Sequence, residues 1–396
     1  SSGAPSASRR LRGQARALSL AAPKARAPYL RREGDRLVLG NGFYEATFDC
    51  SRGFSLAKLT QRWAKAAVAL DPSSGLEIER GETLFTGRAF RTESIQVDGT
   101  AATLSLASTH PDLPLKLSVS LQVDETPQIR MRLDAANTGS QPVDAAVRFP
   151  VLRGLRVGEL RDTCVCFPGY RSIATDRPCL FIAPNDRSFC VQFLDVSNPR
   201  AGAGWAMVTH DRENLPMVYA LGKSDAGVSA FVEYPREHYR LAPGETARFS
   251  ETCLAAHTGD WHEAAALYAG WLKTWYRPKP PKARDWFQRL FLMRVHLTKK
   301  AYSWAVPIFD PEKPAYRVDE AVKVDTDYLK LPPEIVHLGG WCDFTNEVGG
   351  DFLGGDYAVQ DYTGGADLLR GAVREFQGKH GIPVSLMQEQ IPGDEP

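Results

Sequence analysis

The segment from Leu331 to Gln390 constrains the fold of this chain more than any other. It reads as an apolar run, EIVHLGGW, a Gly/Asp/aromatic loop, CDFTNEVGGDFLGGDYAVQDYTGG, a helical run, ADLLRGAVREFQGKHG, and a second apolar burst, IPVSLMQEQ. Short apolar runs joined by a polar loop and an amphipathic helix, with glycine just past the helix end, are the pattern of parallel β/α units. Leu368, Leu369, Ala372, Val373 and Phe376 lie on one face of a helix over 366–379, and Gly381 is placed to reverse the chain after it. Upstream, the apolar core of Leu290 to Val295 and a modest helix pattern from Arg317 to Leu329 add one more unit. A β-α-β-α-β order requires parallel strands with right-handed crossovers. Polar, aromatic and acidic residues then fall where each strand ends, the face on which a β/α barrel builds its site. By this count about three of the eight strands of such a barrel are present, so the expectation is an incomplete (β/α)8 barrel of the TIM type whose catalytic pair follows residue 396.

From Tyr29 to His257 the pattern is different. Runs such as LVLGNGFYEATFD, ATLSLAS, LKLSVSLQV, QIRMRLDAAN, GWAMVTH, VSAFVEY and ARFSETCLAA alternate or stay apolar over a strand's length between turn residues. Helix patterns are absent there, which predicts a large antiparallel β-sandwich of two stacked sheets. Arg130 and Arg132, alternating with Ile129, Met131 and Leu133, read as a solvated face. At Thr258 the period changes from 2 to 3.6. Trp261, Ala264, Ala265, Tyr268, Trp271, Leu272 and Trp275 form a helical stripe, with Asp260 as N-cap, Glu263 completing a capping box, and prolines 278, 280 and 281 as the stop. The expected organisation is a tail over 1–28, a sandwich over 29–257, a linker helix and Pro-rich connection over 258–284, and the start of a barrel over 285–396.

With 43% hydrophobic and 24% charged residues and a net charge of +1, the chain carries no basic footprint for nucleic acid. No apolar run approaches the ~20 residues of a membrane span. The seven cysteines, Cys50, Cys164, Cys166, Cys179, Cys190, Cys253 and Cys342, lack the paired spacing of a zinc site and read as buried thiols. The first residues, SSGAPSASRRLRGQARALSL, are basic and Ala/Ser-rich and lack the apolar core of a signal peptide. Neither a GxSxG elbow nor a Walker loop nor HExxH occurs, so serine-hydrolase, nucleotide and metalloprotease chemistry have no support.

Three stretches in this order resemble the α-galactosidase-like clan of glycoside hydrolases. LVLGNGFYEATFDCSRGFSLAKL is similar to the opening strands of their galactose-mutarotase-like sandwich, DWHEAAALYAGW to their linker helix, D-W-x-x-A-A-x-x-Y-x-x-W, and GGW with GGDYAVQDYTGGADLLRGAVREFQGKHGIPVSL to their second and third barrel units. The resemblance implies a retaining glycosidase acting on a carbohydrate substrate, without a cofactor, in an extracellular or periplasmic setting. In that clan the two catalytic carboxylates sit on later strands, so none is assigned to a residue of this chain. What carries over is the lining of a sugar subsite by the early strand ends.

The candidates follow from position. Trp341, after two glycines, suits stacking on a pyranose, although a tryptophan there also serves simply to close a barrel mouth. Asp343 points the same way if the strand continues and would accept hydrogen bonds from sugar hydroxyls. Asp356, Tyr357 and Asp361 lie in a loop too polar for a core and too long for a turn; the oxygen spacing of a calcium loop is missing, so no metal is expected. Glu389 ends the third strand, and His296 and Lys299 end the first. A non-catalytic carbohydrate-binding protein and a structural surface protein using the sandwich for protein contacts are the alternatives.

Overall fold

The computed structural model describes residues 26–64, 68–169, 173–185, 191–277, 290–298, 307–341, 359 and 361–386. They form two units, Ser1–Arg277 and Pro278–Pro396, so the division falls within the Pro-rich connection.

The first unit is built from antiparallel strands. Gln128–Asn137 shows why: Ile129, Met131, Leu133 and Ala135 are buried while Arg130, Arg132 and Asp134 face the other way, a strict alternation that only a half-buried strand produces. It pairs with Leu115–Val123 on one side and Glu251–His257 on the other, within a ten-stranded sheet. A seven-stranded sheet, a four-stranded meander from Tyr29 to Gln61 and the two-stranded pair Val143–Asp144 with Arg240–Leu241 complete the set among the described residues. Leu37 and Phe48 of the meander, Leu104 and Leu254 of the large sheet, and Ile78, Leu221 and Val232 of the seven-stranded sheet share one apolar core. Among the described residues before Trp261 the only helical turns are the 3-10 turns Gly87–Ala89 and Leu160–Asp162.

The helix Trp261–Trp275 packs on the outer face of the large sheet. Ala264, Trp261 and Tyr268 meet Phe193, Ala206, Val208 and Ala255. Its N-terminus is capped by Asp260, whose carboxylate accepts the His262 N–H at 3.0 Å. Under its approach lies a buried polar group. Asp195 bonds His257 Nε2 at 2.7 Å and accepts the Ser197 hydroxyl at 2.8 Å, and Gly204, on the strand between them, lies directly beneath the imidazole. A Cβ at Gly204 would come within 2.2 Å of His257 Cε1.

The second unit contains a parallel three-stranded sheet, Met293–Leu297, Ile335–Gly339 and Val384–Leu386, in that spatial order. The helices Val318–Leu329 and Gly365–Gly378 lie between successive strands in the chain. The second helix buries Leu369, Ala372 and Phe376, the face its spacing predicts. The chain turns at Gly381, whose φ is +65°, and the Ile382 N–H returns to the Phe376 carbonyl at 2.9 Å. Val336 and Leu338 meet these helices together with Val318 and Ile308.

Candidate functional site

Alternation along the three parallel strands separates two faces. Arg294, His296, Val336 and Leu338 belong to the face the helices cover. The buried carboxylate of Asp325, from the helix Val318–Leu329, accepts Arg294 Nε at 2.8 Å and bonds His296 Nε2 at 2.9 Å. Met293, Val295, His337 and Ser385 belong to the opposite face. There Met293 and Val295 are 51% and 48% exposed, and His337 Nδ1 is hydrogen-bonded to the Ser385 hydroxyl. Burial holds the His337 imidazole below the ordinary histidine range, so it stands neutral at neutral pH. At the carboxyl ends, Thr298 donates both its N–H and its hydroxyl to the Gly339 carbonyl, tying the first two strands together just before Gly340, whose φ is +74°.

Of the residues proposed from sequence, Trp341, His296 and Asp361 are described. Trp341 is 7% exposed and packs in the core with Val336, Leu338 and Phe376. His296 is engaged by Asp325 on the helix-covered face. Asp361 is exposed and opens the turn Asp361–Thr363 that leads into the helix Gly365–Gly378. Asp343, Asp356, Tyr357, Glu389 and Lys299 lie outside the described residues. The pair that the sheet does bring together, His337 and Ser385, was passed over. Its signal was present: each is the one polar residue inside an otherwise apolar strand, at the alternation position opposite the helices.

The first unit has a cleft of about 630 Å³ lined by Arg80, Phe85, His110, Asp112, Asp144 and Arg236, among others. The His110 ring stands edge-on to Phe85 at 5.1 Å. Guanidinium donors, carboxylate acceptors and an aromatic surface in one concave place suit a polyhydroxylated ligand. Elsewhere on the sandwich Glu77, Glu79 and Glu233 crowd together, but Arg148 and Arg153 take up their oxygens, Arg153 binding Glu77 in a bidentate fork at 2.8 and 2.6 Å. Carboxylates so occupied have their acceptor oxygens taken up within the sandwich. Burial pushes the Cys50 and Cys166 thiols up to about 12, which removes them as nucleophiles at neutral pH.

No family model matches the sequence, and no curated protein matches it. Solved structures do resemble the fold. The galactosidase domain of an α-galactosidase–sucrose kinase is 12% identical with a TM-score of 0.48, the match covering 91% of this chain and 57% of that one. An α-galactosidase from Lactobacillus brevis is 10% identical with a TM-score of 0.46, over 93% of this chain and 55% of that one. An α-galactosidase from Geobacillus stearothermophilus is 12% identical with a TM-score of 0.45, over 91% and 56%. The chain spans a little over half the length of these structures.

Proposed function

We propose that this chain is part of a carbohydrate-active protein of the glycoside hydrolase type, in which the parallel β/α unit supplies a sugar subsite. The observation that carries the reading is the face of the parallel sheet turned away from the helices, where, among the described residues, Met293 and Val295 are half exposed while Ile335 is buried. Parallel sheets are ordinarily covered on both faces, and in a β/α barrel the inner face is closed by further strands while ligands bind at the carboxyl ends. Here that face combines exposed Met293 and Val295 with a neutral imidazole and a hydroxyl, and the chain leaves it through two glycines at 339 and 340. The order of sandwich, aromatic helix and β/α units supports the same reading. The reaction is cleavage of a glycosidic bond through an oxocarbenium-like transition state, with retention by two carboxylates ~5 Å apart; neither carboxylate is assigned to a residue here.

Asp343 is the acceptor for substrate hydroxyls in this reading. Asp343→Ala in the active protein should lower kcat/KM for aryl glycosides by about 2–4 kcal/mol, the scale for losing a charged hydrogen-bond partner whose neighbours stay unsatisfied. Unchanged kinetics in that variant of a protein that turns over aryl glycosides would overturn the proposal. The Arg80–Arg236 cleft favours a second reading, a carbohydrate-binding protein without catalysis. Glycan binding without turnover, weakened about tenfold by Arg236→Ala as expected for a lost charged hydrogen bond, would select it.

A further inference from the structure

The sandwich carries a second constellation that the sugar chemistry does not use. His210 ends the strand Ala203–His210, and Glu251 and Cys253 open the strand beside it, with His210 directly opposite Glu251 in the antiparallel register. Two residues apart, Glu251 and Cys253 project from the same face as His210. His210 Nδ1 lies 3.1 Å from Glu251 Oε1 and 3.6 Å from Cys253 Sγ, and the ligand atoms of all three residues lie within 4.8 Å of one another.

The nitrogen–sulfur separation matches a coordination polyhedron and the nitrogen–oxygen one is shorter than it. Sγ also lies 3.9 Å from Nε2, off the line of the Nδ1 lone pair, so the imidazole must turn to bind. Zinc bonds of about 2.0–2.1 Å to imidazole, 2.0–2.2 Å to carboxylate and 2.3 Å to thiolate, at tetrahedral angles, place nitrogen about 3.4 Å from oxygen and about 3.6 Å from sulfur. The surroundings bracket the imidazole and the carboxylate. The Trp271 indole stacks on the imidazole at 4.9 Å with the planes 4° apart, and Arg130 Nε donates to Glu251 Oε1 at 2.9 Å. Partners of that kind orient ligands around a metal. Cys253 is fully buried, whereas the His210 and Glu251 side chains keep 12% and 25% of their surface in solvent, which leaves a path and a fourth position for water.

The geometry points to a binding site for a divalent metal of zinc type, held by His210 Nδ1, a Glu251 carboxylate oxygen and Cys253 Sγ, with water as the fourth ligand. It is independent of the sugar subsite. On binding, the Cys253 S–H bond breaks, its proton leaves to solvent, a metal–sulfur bond forms, and the imidazole coordinates through Nδ1 with its remaining proton on Nε2. Two anionic ligands cancel the metal's charge, and Arg130 remains as the outer partner of the carboxylate.

Titration of the purified protein with Co2+ tests this directly. One equivalent should generate sulfur-to-cobalt charge-transfer absorption in the near ultraviolet and the visible bands of a tetrahedral ion, both displaced by Zn2+. Cys253→Ser should remove the near-ultraviolet band, and His210→Gln should weaken binding about tenfold or more. Because a substituted thiol could also disturb folding, Zn2+ should raise the melting temperature of the unaltered protein and leave that of Glu251→Gln unchanged. Absence of a charge-transfer band, its persistence in Cys253→Ser, or a melting temperature indifferent to Zn2+ would overturn the site.

Discussion

Asp195→Ala should remove about 3–5 kcal/mol from the stability of the first unit, the scale for leaving two buried hydrogen-bonding groups, at about 1–3 kcal/mol each, without their acceptor. Asp195 and His257 are 1% and 5% exposed, and the two carboxylate oxygens are divided between the imidazole and the Ser197 hydroxyl. Alanine would leave both groups buried without water to replace the lost acceptor, and would open a void against the helix that packs there. Asp195→Asn keeps the volume and one acceptor oxygen, so it should cost distinctly less. Urea unfolding of the three proteins is the measurement. Equal midpoints for the aspartate and alanine proteins would show that the pair contributes nothing net.

In the second unit the corresponding change is Asp325→Ala, with an expected loss of about 3 kcal/mol, since Arg294 retains partial access to water and is less completely stranded. The effect should be local. Hydrogen exchange of the amides in Met293–Leu297 and Val318–Leu329 should accelerate while the strands of the sandwich keep their protection. Acceleration spread evenly over both units, or none, would contradict the assignment of Asp325 as the tie between that helix and that strand.

The sheets were legible because their signal is local. A strand such as Gln128–Asn137 declares itself in ten residues, and the helix Val318–Leu329 in twelve, since period and burial are coupled within a single element. The capping of Trp261–Trp275 was legible in part. Asp260 does cap it, but its carboxylate takes the His262 N–H, because a short aspartate side chain reaches either of the first free donors of a helix. The strand Cys164–Phe167 and the edge strand Ile173–Thr175 are too short to show a period at all.

The polar groups were harder for a different reason. Asp195 meets His257, and His210 meets Glu251 and Cys253, across strands far apart in the chain, and register is decided by the whole sheet rather than by neighbours in sequence. For His296 and Trp341 the residue types were informative but their directions were not. A histidine at a strand end points to one face or the other according to a single step of register, and here that step brings it to Asp325. A tryptophan after two glycines suits a ligand or a core equally well, and here its neighbours are Val336, Leu338 and Phe376.

The close seating of His257 over Gly204 has a consequence for descent. Any side chain at position 204 would occupy the volume of the imidazole ring, so neither position is free to drift alone. Homologous sequences should keep glycine wherever they keep this histidine, and should admit alanine or serine there only in lineages that have also replaced the ring with something smaller and, with it, released Asp195 from its partner. Paired substitution at 204, 257 and 195 would therefore record which branches have rebuilt the floor beneath the helix, well before any of their activities is compared.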